Sequence, residues 1–263
     1  MLRSRKSITF VILALCFATL LAVSFRQVTA ITFTSRESAE ANEELSRFVT
    51  LPAPAAAVNQ PANAGEEAEP NKWAHVVFPE VDFESLAVQN PDIVGWLILE
   101  DTVINYPVVQ TNNNSFYLTH LFDGTKNANG TLFVDHRNTP GFIDQNTIIY
   151  GHHMNNGSMF APLIQYVDQA FFDAHPYLLF LTPDGNYLIE LFAGYTTDVD
   201  DSSWQRSFAD ASEFTSWLTA VKDRSDFQSE LMPEPTDHII TLSTCSRDFR
   251  GAKYILAGRL IPM

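Results

Sequence analysis

Ile239-Ile-Thr-Leu-Ser-Thr-Cys-Ser-Arg-Asp-Phe-Arg-Gly-Ala-Lys-Tyr-Ile-Leu-Ala-Gly-Arg259 holds two strand-forming runs with a cysteine between them. Ile239 to Thr244 are β-branched or apolar with few breakers, the composition of a largely buried strand that delivers Cys245 to its end. Ser246 to Gly251 read as a polar loop and Ala252 to Ile261 as a second strand. A thiol is nucleophilic only as the thiolate, and neighbouring cations lower its pKa from the free value of about 8.5. Arg247, Arg250 and Lys253 all lie within eight positions of Cys245. A lone cysteine is nevertheless more often a small buried apolar side chain, so this strand end does not decide the matter alone.

A second stretch changes the balance: Asn146-Thr-Ile-Ile-Tyr-Gly-His-His-Met-Asn-Asn-Gly-Ser-Met-Phe160. It too reads as a strand running into a glycine-punctuated loop, and it presents His152 and His153. A histidine upstream and a strand-end cysteine far downstream, with a cation after it, supply the parts of a thiol transpeptidase.

Thr241-Leu-Ser-Thr-Cys245 resembles the cysteine signature of the sortase family. Tyr150-Gly-His-His-Met with Gly157-Ser-Met-Phe is similar to the histidine segment of its class B. The likeness runs from about Phe83 to Ile261 and takes in Asn90-Pro-Asp-Ile-Val-Gly-Trp96, Tyr106-Pro-Val-Val-Gln110 and His175-Pro-Tyr177. It implies a membrane-anchored cysteine transpeptidase that needs no cofactor. Such an enzyme cleaves a C-terminal sorting signal after Thr on surface proteins and passes the acyl group to an amine, of a cell-wall precursor or a pilin lysine. By the same resemblance Cys245 is the nucleophile and His152 the general acid and base; Thr244, Arg247 and Arg250 beside the cysteine are read as substrate-binding or alternative cationic residues. His153 is the weaker member of its pair, because alternation at a strand end turns it to the other face. The pair is no metal site, since adjacent side chains diverge and no further ligands stand at the right spacing. His75, His120, His136, His175 and His238 read as packing or surface residues.

The chain departs from the family at one position. The arginine expected at the start of the final strand, eight residues after the cysteine, is here Lys253. Arginine offers a planar fork able to hold substrate backbone and a developing oxyanion, whereas lysine is a compact point charge. Either Lys253 does a reduced version of that work, or Arg247 or Arg250 reaches in, or the enzyme is weak. Arg247 also stands where class B members commonly carry an aromatic residue. The competing readings are a degenerate sortase acting as a non-catalytic surface binding module and a hydrolytic cysteine protease. An L,D-transpeptidase would need His-Gly before the cysteine, where Ser243-Thr244 stands, and a papain-like protease carries its cysteine upstream of its histidine.

The chain of 263 residues is 46% hydrophobic, which suits one domain with appendages. A net charge of -15 argues against a nucleic-acid partner, which wants a basic face. Of two cysteines, Cys16 falls in an apolar run, so no disulfide framework is expected and Cys245 is a free thiol. Ile8 to Phe25 is almost uninterruptedly apolar and follows Arg3, Arg5 and Lys6. That length and flank predict a signal-anchor with the N-terminus inside the cell. A cleaved signal peptide ending at Val28-Thr-Ala30 is the alternative. The expected layout is a cytoplasmic tail over 1–7, a single-pass anchor over 8–25, an extracellular linker over 26–75 and a catalytic domain over 76–263. Residues 31–73, rich in Ala, Asn, Glu and Pro, read as a semi-extended stalk with room for a short helix over Glu37 to Arg47.

Within the domain, Asp82 caps a short helix that stops at Asn90-Pro91. A hairpin turns at Glu100-Asp101, Tyr106-Pro107 suggests an edge or bulge, and short helices fall near 159–167 and 170–174. The clearest helix has Phe214, Trp217, Leu218 and Val221 on one face, with Asp210-Ala-Ser-Glu213 as its cap. Many short strands and few helices point to a barrel or sandwich. The resemblance sharpens this to a mainly β fold: the eight-stranded sortase-type β-barrel, with an N-terminal helix and a helix between the sixth and seventh strands.

Overall fold

The computed structural model describes residues 2–50, 72–245 and 251–263; for 2–15, 30–31 and 245 the description is of the backbone. The chain begins with helix α1 (Leu2–Leu45) and helix α2 (Phe83–Gln89). The barrel follows as β1 (Ile93–Ile98), β2 (Asn105–Val109), β3 (Leu132–Val134), β4 (Asn146–Tyr150), β5 (Tyr177–Thr182), β6 (Gly185–Thr197), β7 (Ile239–Cys245) and β8 (Lys253–Pro262). Helix α3 (Gln169–Ala174) lies between β4 and β5, and α4 (Ala211–Asp223) between β6 and β7. The eight strands close in the order β8-β6-β5-β1-β2-β3-β4-β7, the expected eight-stranded barrel with its expected helices.

Most neighbours pair antiparallel, but β2 with β3 and β4 with β7 run parallel. Closure leaves β2 without the free edge suggested by Pro107. The missing N–H is tolerated because the ladder to β3 begins one residue later, at Val108.

The strands are covered on both sides, which explains why they read as continuous apolar runs rather than as alternating ones. Leu97, Ile149, Phe180, Leu242, Tyr254 and Leu256 fill the interior. Trp96, Ile98, Leu179 and Leu181 pack outward against Leu45, Trp73 and Leu86. Ile239, Ile255 and Ala257 pack outward against Phe214, Trp217, Leu218 and Val221 of α4. That helix starts as its sequence predicts, with Asp210 accepting from the backbone N–H groups of Ser212 and Glu213 at 2.9 Å each. Glu213 reaches back to the N–H of Ala209, one residue before the cap.

Helix α1 corrects the stalk reading, since the stretch from 31 to Leu45 is helical and continuous with the apolar segment. Ala, Glu and Leu dominate Glu37 to Leu45, all strong helix formers. Arg36 and Glu40 form an i,i+4 ion pair at 2.7 Å, and Ser38 and Leu45 are buried. The amide of Asn127 donates to the Thr34 carbonyl at 3.0 Å and to Glu37 at 2.9 Å, fixing this part of the helix to the barrel. The Glu-rich run after 50 lies outside the described residues. Further up, Phe17, Leu20, Leu21, Val23 and Phe25 are each more than half exposed. Cys16–Phe48 is long and apolar enough, by length and composition, to cross a membrane.

Candidate active site

Two strand pairings assemble the site. Within the β7–β8 hairpin, Cys245 is directly opposite Lys253. In the parallel β4–β7 pair, Tyr150 is opposite Ser243, and the Gly151 N–H continues the ladder to the Ser243 carbonyl at 3.2 Å. Carrying that register on by two residues puts His152 beside the backbone of Cys245. The histidine segment and the distant Cys245–Lys253 hairpin therefore come to the ends of three adjacent strands.

Packing and hydrogen bonds hold the histidine segment. A Cβ on Gly151 would come within 2.5 Å of Leu132 and 2.6 Å of Phe160, so only glycine lets the strand end approach these side chains. The loop then returns on itself, with the Phe160 N–H donating to the His152 carbonyl at 2.9 Å. His152 Nε2–H donates to the Leu118 carbonyl at 2.7 Å, and since that oxygen can only accept, Nε2 carries a proton. Nδ1 is left as the nitrogen that can exchange one. His153 instead bridges to Met159 within the returning loop.

A cleft of about 460 Å³ opens at these strand ends, lined by His152, Thr244 and Lys253 among others. His153 is not among its lining residues. Arg247 and Arg250, the alternative cations, lie outside the described residues. The structure adds residues that sequence reasoning missed: Leu118, Arg137 and Tyr150 on one side, and Asp200, Asp201 and Trp204 from the β6–β7 connection on the other. A tryptophan inside the acidic, serine-rich run Asp198-Val-Asp-Asp-Ser-Ser-Trp204 was a signal available for the second group. Trp204 Nε1–H donates to Ser243 Oγ on β7 at 3.3 Å. Behind this wall, the Asn146 amide donates to the Ser203 carbonyl at 3.2 Å and the Gln205 carbonyl at 2.8 Å.

On the opposite wall Asp135, fully buried, accepts from Arg137 Nε at 2.9 Å and Nη2 at 2.7 Å, and from the Tyr150 hydroxyl at 3.0 Å. Burial alone would raise the Asp135 pKa; the Arg137 and Tyr150 hydrogen bonds outweigh it and hold the carboxyl down at about 2. Burial and the same carboxylate push Tyr150 well above the ordinary phenol range.

Barrel and strand-end site together define a class. The chain belongs to the sortase family, a family of transpeptidases: the family model described as Sortase domain matches residues 97–261. Its relatives narrow this to the sortase B branch. Sortase B of Listeria monocytogenes serovar 1/2a is 40% identical over 182 residues, which are 68% of this chain and 74% of the relative. Sortase B of Staphylococcus aureus is 36% identical over 163 residues, 62% and 67% of the two chains. Among solved structures, a Staphylococcus aureus sortase B–substrate complex superposes with a TM-score of 0.66 at 33% identity, covering 69% of this chain and 85% of the other.

Proposed function

We propose that this chain is a membrane-anchored cysteine transpeptidase that cleaves a C-terminal sorting signal after Thr and transfers the acyl group to a cell-wall or pilin amine. The observation that carries the reading is the strand register, which pairs Cys245 with Lys253 and sets Tyr150, two residues before His152, beside Ser243, two residues before Cys245. In this reading the Cys245 thiolate attacks the threonine carbonyl carbon. The C–N bond breaks, His152 gives a proton from Nδ1 to the leaving amine, and a thioester remains. An incoming amine then attacks the thioester and loses its proton to His152, and the C–S bond breaks to restore the thiolate. Lys253 stabilises the oxyanion in both steps. Without an amine, water takes the acyl group, which is the hydrolytic branch.

Anchoring is inferred from the uncovered apolar residues of α1 and from Arg3, Arg5 and Lys6 before them. This orientation puts the barrel outside the cell, where surface proteins and wall precursors are met.

The test uses the detergent-solubilised full chain with a library of threonine-containing peptides and triglycine as acceptor. We expect cleavage after Thr, a thioacyl adduct on Cys245 by mass spectrometry, and no turnover in Cys245→Ala. His152→Ala should remove most activity and His153→Ala little. Residual turnover in Cys245→Ala, or an adduct on another residue, overturns the assignment.

A further inference from the structure

Arg137 is the cation of the cleft that the transpeptidation steps above leave without a task. It follows β3, which runs antiparallel to β4: the Asp135 N–H bonds the Ile148 carbonyl at 2.8 Å, so this turn lies level with Ile148 rather than with the strand end at His152. Four residues of strand, roughly 13 Å at about 3.3 Å per residue, separate those levels. The Arg137 side chain nevertheless lines the same cleft as His152 and Lys253.

The guanidinium is fixed there. Asp135 takes it side-on through Nε and Nη2, with Tyr150 beside it, which leaves Nη1 for a further acceptor. Asp135 itself is oriented by Tyr150, and its backbone carbonyl and that of Asn138 accept from the Gln110 amide at 3.1 Å and 2.9 Å. The Arg137 carbonyl accepts from Arg206 of the facing connection, tying the two walls together. A half-exposed guanidinium with its orientation set by a fully buried carboxylate is preorganised for an oxygen acceptor, at little entropic cost when one arrives.

We propose that Arg137 is a substrate-binding residue whose guanidinium donates to a carbonyl-type oxygen of the peptide away from the reacting carbonyl. The proposal rests on the transpeptidase reading, since it requires an extended peptide in this cleft with its scissile bond at Cys245.

The experiment measures kcat and KM of the detergent-solubilised full chain for the library peptide that the wild type cleaves fastest, with triglycine at a fixed concentration. A hydrogen bond to a charged group contributes about 1.5–3 kcal/mol, so Arg137→Ala should lower kcat/KM roughly tenfold or more, carried by KM. Arg137→Lys keeps a charge beside Asp135 and provides a folded control; it should not restore KM, because lysine lacks the fork. Alkylation of Cys245 by iodoacetamide, followed by mass spectrometry, should proceed at the wild-type rate in both variants. An alanine scan of the peptide separates the sources of the oxygen. If one position abolishes the Arg137 effect, a side chain supplies it; if none does, the backbone supplies it. Wild-type KM in both variants overturns the proposal while leaving the transpeptidase reading intact. No cleavage of any peptide by the wild type overturns both.

Discussion

The two walls of the cleft are each built on an aspartate–arginine pair, but they are assembled in opposite senses. On the β3–β4 side Asp135 is buried and Arg137 faces the cleft. On the β6–β7 side Asp201 faces the cleft and Arg224, at the end of α4, stands behind it, joined at 2.6 Å. Arg224 also lies over the Tyr195 ring at 4.2 Å and donates to its hydroxyl at 3.1 Å. That hydroxyl shares a 2.7 Å hydrogen bond with Ser203, which donates to Asp201. Trp217 Nε1–H, from α4, holds the Ser202 carbonyl at 3.0 Å. Similar pairs thus turn opposite charges toward the cleft, Arg137 on one wall and Asp201 on the other. They also differ in reach: Asp135 and Arg137 are two residues apart, whereas Asp201 and Arg224 exist as a pair only once α4 has docked.

The largest expected difference between the walls is in stability. Arg137→Met leaves a fully buried carboxylate without its cation, and breaking such a pair costs about 3 kcal/mol. Urea denaturation of the full chain in detergent measures it; a loss below about 1 kcal/mol would mean that Tyr150 alone satisfies Asp135.

Acid sharpens the same contrast. The Asp135 pKa is depressed in the folded protein to about 2 from an ordinary 3.8. Its contribution, on the order of 2 kcal/mol, is therefore present above about pH 4 and lost as pH falls from about 4 to 2. His136 Nδ1, 3.6 Å from Asp135, is the other titratable group at that turn. In Asp135→Asn the stability–pH curve should flatten across this window, and an unchanged acid limb would assign the loss to other carboxylates.

The smallest effect belongs to the other wall. Arg224→Ala opens a partly exposed pair, with an expected loss of about 1 kcal/mol. Because Asp201 loses its backing, KM for the sorting peptide should rise more than kcat falls. Wild-type KM in that variant would show that the β6–β7 connection holds its shape without α4.

Much of this was legible in the chain. The apolar runs of β7 and β8, the capped amphipathic α4 and the Gly151-His152 strand end are local signals, and they also carried the family likeness. Arg137 escaped notice because nothing in Val134-Asp-His-Arg137 distinguishes a surface turn from one whose arginine bends back to a distant cleft. Helix α1 was read as interrupted because Ala- and Glu-rich segments suit both a stalk and a helix; docking of Ser38 and Leu45, and the Asn127 contacts, select the helix.

By itself, then, the sequence determined that β4, β7 and β8 are strands, where α2 and α4 are capped, and that a cysteine and a histidine end two of those strands. Only the tertiary structure decided that β4 and β7 lie side by side and parallel, bringing His152 to Cys245, and that Arg137 and Asp201 face each other's side of the cleft. The physical reason is range. Strand propensity and capping act over a few residues, whereas parallel pairing of distant strands is settled by barrel closure and by the burial of both faces of every strand.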